Sequence, residues 1–169
     1  MIKKYTFLFL MFLSSFTFAQ SIAEIQGTGD ETPYADQSVS TSGIITAVGT
    51  QGYFIQDGTD LRSGIYVFDS SNSPEVGDEV NLTATAVEFF TLTELVNITA
   101  FEVVSSGNAL PAPIVLTTGA ANNEDYEGML ITIQVATCTN PDLGFGEWQL
   151  NDGSGTLSVN DLMYAFTPV

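Results

Sequence analysis

The sequence predicts an all-β protein: a five-stranded Greek-key barrel followed by an incomplete second unit of the same kind. Three observations carry this expectation. Runs rich in β-branched and aromatic residues alternate with Gly, Asp-Gly and Ser/Asn/Pro turn signals along the chain. No window of useful length has helical apolar spacing with caps. The phrase GYFIQDG, Gly52 to Gly58, returns later as EWQLNDG, Glu147 to Gly153.

Taken in order, the chain opens with Lys3 and Lys4 and the apolar run YTFLFLMFLSSFTF, closing on Thr17 and Ala19 at the −3 and −1 positions of a small-residue site. This predicts a signal peptide over 1–19, cut between Ala19 and Gln20. The run is shorter than the roughly 20 residues a bilayer requires, which argues against a retained membrane span. No Cys follows it, which argues against a lipid anchor. The expected location is secreted, extracellular or on the cell surface.

The strands follow. Val39 to Val48 (VSTSGIITAV), Gly52 to Gln56, Gly64 to Phe68 (GIYVF), Glu79 to Phe89 (EVNLTATAVEF) and Glu94 to Val104 (ELVNITAFEVV) each have the composition of a strand. Turn signals at Gly49, Asp57-Gly58 and SSNSPEVGD (Ser70 to Asp78) separate the first four, and Asp36 to Ser38 can hold a short turn. Five strands with one long loop between the third and fourth suit an OB-type barrel, with a sandwich fragment as the alternative. The barrel is expected over 20–106. The second unit, 107–169, begins at the Pro-rich stretch SSGNALPAP, Ser105 to Pro113.

The repeated phrase extends to its neighbours. Aligned on the Asp-Gly turn, Tyr53 stands opposite Trp148 and Ile55 opposite Leu150; IYVFD (Ile65 to Asp69) matches TLSVN (Thr156 to Asn160). GIIT (Gly43 to Thr46) has an echo in GMLIT (Gly128 to Thr132), with the extra length assigned to TCTNPDLGFG as a loop. Only LMYAFTPV follows SVND, too little for two more strands. The expectation is therefore a truncated repeat, with further domains of the same chain downstream.

Charge and composition narrow the chemistry. After signal removal only Arg62 would remain against 20 acidic residues, a formal net charge of −19. Such a surface repels phosphate backbones, whose binding normally depends on several Lys or Arg. There is no His, which removes Ser/His and Cys/His nucleophilic sites. Cys138 is the single cysteine, so no internal disulfide can form, and without basic neighbours it reads as a quiet thiol. No catalytic residue is assigned and the chain is expected not to be an enzyme.

The stretch SIAEIQGTGDETPYADQSVSTSGIITAV, with GYFIQDG, GIYVF, VGDEV and EFFTLTEL after it, resembles the OB-fold accessory module of secreted bacterial nucleases of the ExeM and YhcR kind. The second unit, with YEGMLITI and EWQLNDGSG, resembles the further OB-like repeats of Bacteroidetes secreted proteins. What the resemblance implies is an accessory role beside a separate nuclease domain, or within a multidomain surface protein.

Candidate ligand residues come from strand alternation. If Tyr53, Ile55, Ile65 and Val67 face inward, Phe54, Tyr66 and Phe68 share the outer face of the second and third strands, where OB barrels stack bases or sugars. Arg62, in the loop between those strands, is the only cation nearby. The candidate partners are single-stranded nucleic acid or a glycan; the alternative is that these aromatics pack on the amino-terminal segment or on a neighbouring domain. In the second unit the alignment puts Gln149, Leu157 and Val159 at the aromatic positions. No cofactor is expected. The loops DGTD, NNEDYE and NDGSG have oxygen donors for Ca²⁺ but not EF-hand spacing, and read as turns. Asn81 and Asn97 match the glycosylation sequon inside expected strands, and no role is assigned to them.

Overall fold

The computed structural model describes residues 19–164. The expected signal peptide falls almost wholly outside the described residues, as do the last five positions. The five expected strands are present as β1 (Ser38–Val48), β2 (Gly52–Gln56), β3 (Gly64–Phe68), β4 (Glu79–Phe89) and β5 (Leu92–Ser105). They close into a barrel in the order β1-β2-β3-β5-β4, which excludes the open sandwich fragment. All neighbours are antiparallel except β3 and β5. Closure needs curvature, and the β4–β5 register slips near Thr83/Thr85, opposite a bulge where Asn97 has φ +52°.

The interior follows the alternation read from the sequence. Val39, Ile45, Tyr53, Ile55, Ile65, Val67, Val80, Leu82, Ala84, Ala86 and Leu95 form one buried cluster. One element of it was not legible from periodicity: α1 (Ile22–Gln26), a single helical turn whose Ile22 and Ile25 are fully buried in the same cluster. Five residues are too few for helical spacing to register. A capping box holds the turn, with Ser21 Oγ accepting from the Glu24 amide and Glu24 accepting from the Ser21 amide. Before it, Gln20 lies along β1: its amide donates to the Ser40 carbonyl, and its Oε1 accepts from the Ser40 amide. The short turn sits at Pro33 to Asp36, slightly ahead of its expected place, with Asp36 at φ +60°.

Beyond an irregular stretch come β6 (Ile114–Leu116), α2 (Thr118–Ala121), a 3-10 turn (Glu124–Tyr126), β7 (Ile131–Ile133), β8 (Thr137–Gly144), β9 (Glu147–Asn151) and β10 (Thr156–Asn160). β6 and β7 pair in parallel, and β8, β9 and β10 form an antiparallel sheet in sequence order, as β1, β2 and β3 do in the barrel.

Two details of the repeat alignment need correction. TCTNPDLG is a strand rather than a loop: β8 tolerates Pro141 because the register against β9 jumps between Asn140 and Gly144, leaving the proline out of the ladder. Ile44 pairs with Gln56, and Thr137 pairs with Asn151. The counterpart of GIIT is therefore in β8 and not in GMLIT. In the hairpins, Tyr53 faces Val67 while Trp148 faces Val159, and Ile55 faces Ile65 while Leu150 faces Leu157. Leu157 and Val159 thus match the inward Ile65 and Val67. The outward positions matching Tyr66 and Phe68 are Ser158 and Asn160. A shorter turn after Asp152-Gly153 causes this one-residue slip.

Candidate functional site

The outward side of the β2–β3 hairpin carries the aromatics in the expected arrangement. Phe54 and Tyr66 are directly cross-strand, their ring centroids 5.0 Å apart at a 48° tilt. Phe68 lies on the same face, opposite Gly52. Their exposure differs widely: Tyr66 is 3% exposed and Phe68 50%, with Phe54 between them. Burial raises the Tyr66 hydroxyl pKa, and the charge of Glu94 on the adjoining β5 raises it further.

The segment that leads into β7 packs on this side of the hairpin. Gly128 packs backbone to backbone on Gly64, and a side chain on either glycine would collide with the other. Gly128 has φ +66°, so glycine suits it conformationally as well as sterically. The buried Met129 follows, and the Leu130 amide donates to Gln56 Oε1 at 2.9 Å. Phe54 is left lining a shallow cleft of about 230 Å³ with Thr46, Ala47, Gly128, Met129, Leu130 and Met163.

Arg62 is held by three protein acceptors through Nε and Nη1. Its Nε donates to Asp125 Oδ1 at 2.8 Å, the one ion pair among the described residues. Nη1 donates to the carbonyls of Gly29, at 2.6 Å, and Gly27. The Arg62 amide donates to the Asp125 carbonyl, and the residue holds φ +64°. The side chain is 12% exposed and joins three parts of the chain: the α1 exit, the β2–β3 loop and the 3-10 turn.

Several carboxylates of the acidic loops accept from protein donors. Asp57 Oδ2 accepts from the Ile22 amide, and burial raises its pKa. Asp152 accepts from Thr118 and Ser154, whose hydrogen bonds hold it far below the usual carboxylate range. No cluster of three or more His, Cys, Asp or Glu with metal-binding geometry occurs among the described residues. Cys138 is half-buried on β8. Among the described residues no helix is long and apolar enough to cross a membrane.

Three features had no signal in the sequence. Phe89 and Phe90 form an exposed T-shaped pair at the β4–β5 turn, 56% and 88% exposed. Tyr53 donates its buried hydroxyl to Asp69 Oδ2 at 3.1 Å, beneath the barrel wall. Gln26, the Glu88–Thr93 pair of the β4–β5 hairpin and Glu127, from three separate segments, meet at the junction of the barrel with the 3-10 turn. Gln56 could be read as outward-facing, but its role as acceptor for Leu130 depends on a contact across more than half the barrel's length of chain.

Comparison with known proteins adds no relative: no family model matches the chain, and no curated protein is significantly similar to it.

Proposed function

We propose that this chain is a non-catalytic accessory module of a secreted, nuclease-like multidomain protein, in which an OB-type barrel serves as a rigid seat for the segment that follows it. The observation that carries this reading is the segment packed on the outer face of the β2–β3 hairpin: Gly128 sits on Gly64, the Leu130 amide bonds Gln56, and Gly128, Met129 and Leu130 line the cleft beside Phe54. The strand order β1-β2-β3-β5-β4 supports the OB-type assignment. Arg62, the one basic residue among the described residues, is already paired with Asp125, which disfavours contact with a phosphate.

A second reading, contact with single-stranded nucleic acid or a glycan, draws on Phe68 and on the cleft beside Phe54. Titration with a fluorescent single-stranded oligonucleotide and a panel of soluble glycans at low salt separates the two. Absence of binding by the wild-type chain is the expected result. Binding that disappears in Phe54→Ala/Phe68→Ala would replace the seat with a ligand site.

A further inference from the structure

The junction holds a group of polar side chains for which a rigid seat alone gives no reason. Thr93, on β5 and 1% exposed, donates twice: its amide to Glu127 Oε1 at 3.0 Å and its hydroxyl to Glu88 Oε2 at 3.0 Å. The Thr32 amide donates to the same Glu88 oxygen at 3.2 Å. One residue thus gathers two carboxyl groups, one from β4 and one from the segment leading into β7. The remaining Glu88 oxygen, Oε1, is buried with no hydrogen-bond partner. So is Oε1 of Gln26, a residue 2% exposed whose Nε2 donates to the Gly64 carbonyl. Gln26 also lies close enough to Glu127 for its side chain to favour the charged carboxylate.

A buried Glu88 oxygen lacking a donor, with a second carboxyl bonded to the same threonine, calls for a proton. Glu127 is the group suited to hold it. Its pKa is pushed up to about 7, first by burial and then by the charges of Glu124 and Glu88, against hydrogen bonds from Thr93 and Gln26. The other charged neighbours do not neutralise it. Arg62 is turned toward Asp125, Asp30 acts on Glu124, and Glu94 on β5 acts on Tyr66.

We propose that a proton carried by Glu127, next to the unpartnered oxygen of Glu88 on the same threonine, fastens the segment from Asn123 to Leu130 onto the barrel, making the junction a pH-sensitive latch. Glu127 binds its proton more tightly in the closed junction than in a free chain, where its value is 4.5. The fastening is therefore complete below about 4.5 and is lost as pH rises through about 7. Above that, adjacent carboxylates repel and the segment seated on Gly64 and Gln56 loosens.

The test is a carboxyl-carbon NMR titration of the chain, with amide exchange protection at Thr93, Leu130 and Arg62 measured at pH 5 and pH 8. Wild-type Glu127 is expected to titrate at least about one unit above an ordinary glutamate, and protection at these amides to fall by about tenfold or more between the two conditions. Glu127→Gln keeps a neutral donor at every pH and should hold its protection at pH 8. Glu88→Gln should lower the Glu127 titration point in an otherwise folded chain. An ordinary Glu127 titration, or an equal loss of protection in Glu127→Gln, overturns the latch. So does restoration of wild-type protection at pH 8 by Ca²⁺ alone, which would assign the orphan oxygens to a cation. If Glu127→Gln does not fold, the wild-type titration and Glu88→Gln still decide.

Discussion

Arg62 shows how much a single residue can be asked to join. Its amide, Nε and Nη1 reach the Asp125 carbonyl, the Asp125 carboxylate and the carbonyls of Gly27 and Gly29. Arg62→Leu leaves the Asp125 carboxylate and the Gly27 and Gly29 carbonyls without their side-chain donor and should destabilise the chain by about 1–3 kcal/mol in a denaturant titration. Arg62→Lys should recover less than half of that, because an ammonium cannot reproduce the planar fork. Gly64 is the other sensitive position. Its Cβ would meet the Gly128 carbonyl, where backbone on both sides leaves nothing to rotate away. Gly64→Ala should cost about 1–3 kcal/mol and lower exchange protection at Leu130 before the barrel amides are affected.

Helix α1 matters at the next scale because so short a helix cannot stand on its own propensity. Its place is set by Ile22 and Ile25 entering the barrel core and by the Ser21–Glu24 capping box. Ile25→Ala should therefore behave as a core truncation, losing about 2–4 kcal/mol. Ser21→Ala should lose only about 0.5–1 kcal/mol, because the cap is exposed. Equal effects in thermal melts would mean that the helix is held by its cap rather than its core face. The β2–β3 hairpin, by contrast, combines two independent faces: Tyr53, Ile55, Ile65 and Val67 inside, and outside the Phe54–Tyr66 pair, with Phe54 beside the following segment. Of the two, only the inner face has a counterpart in β9 and β10.

For the whole molecule, the dominant fact is a charge of −17 with one ion pair among the described residues. Mutual repulsion is then nearly uncompensated, and screening should relieve it. Raising NaCl from low to physiological strength should increase the melting midpoint by a few degrees; a decrease would mean that Arg62–Asp125 outweighs the repulsion. Stability should also have a two-sided pH profile. Glu127 and Glu94, raised mainly by burial, contribute stability that is full below their unfolded values near 4.5 and is lost as pH rises through their folded values. Asp69, Asp78 and Asp152, lowered by hydrogen bonds, contribute stability that disappears as pH falls below about 3.8. The melting midpoint is expected to peak between these limits, in mildly acid solution, rather than at neutral pH.

The sequence by itself determined the all-β class, the places of the five barrel strands and the inward set of residues. Each depends on a period of two and on local turn chemistry, which are properties of neighbours along the chain. It also put Phe54, Tyr66 and Phe68 on one outer face. Only the tertiary structure decided what lies over that face. Gly128 meeting Gly64, Leu130 meeting Gln56 and Asp125 meeting Arg62 are contacts between distant segments, and no local pattern announces them. The same holds for α1, fixed by core burial, and for the β8 strand, where bulged pairing accommodates a proline that composition assigns to a loop. Alternation says which way a side chain points; only packing says whether it meets water, a ligand or another part of the chain.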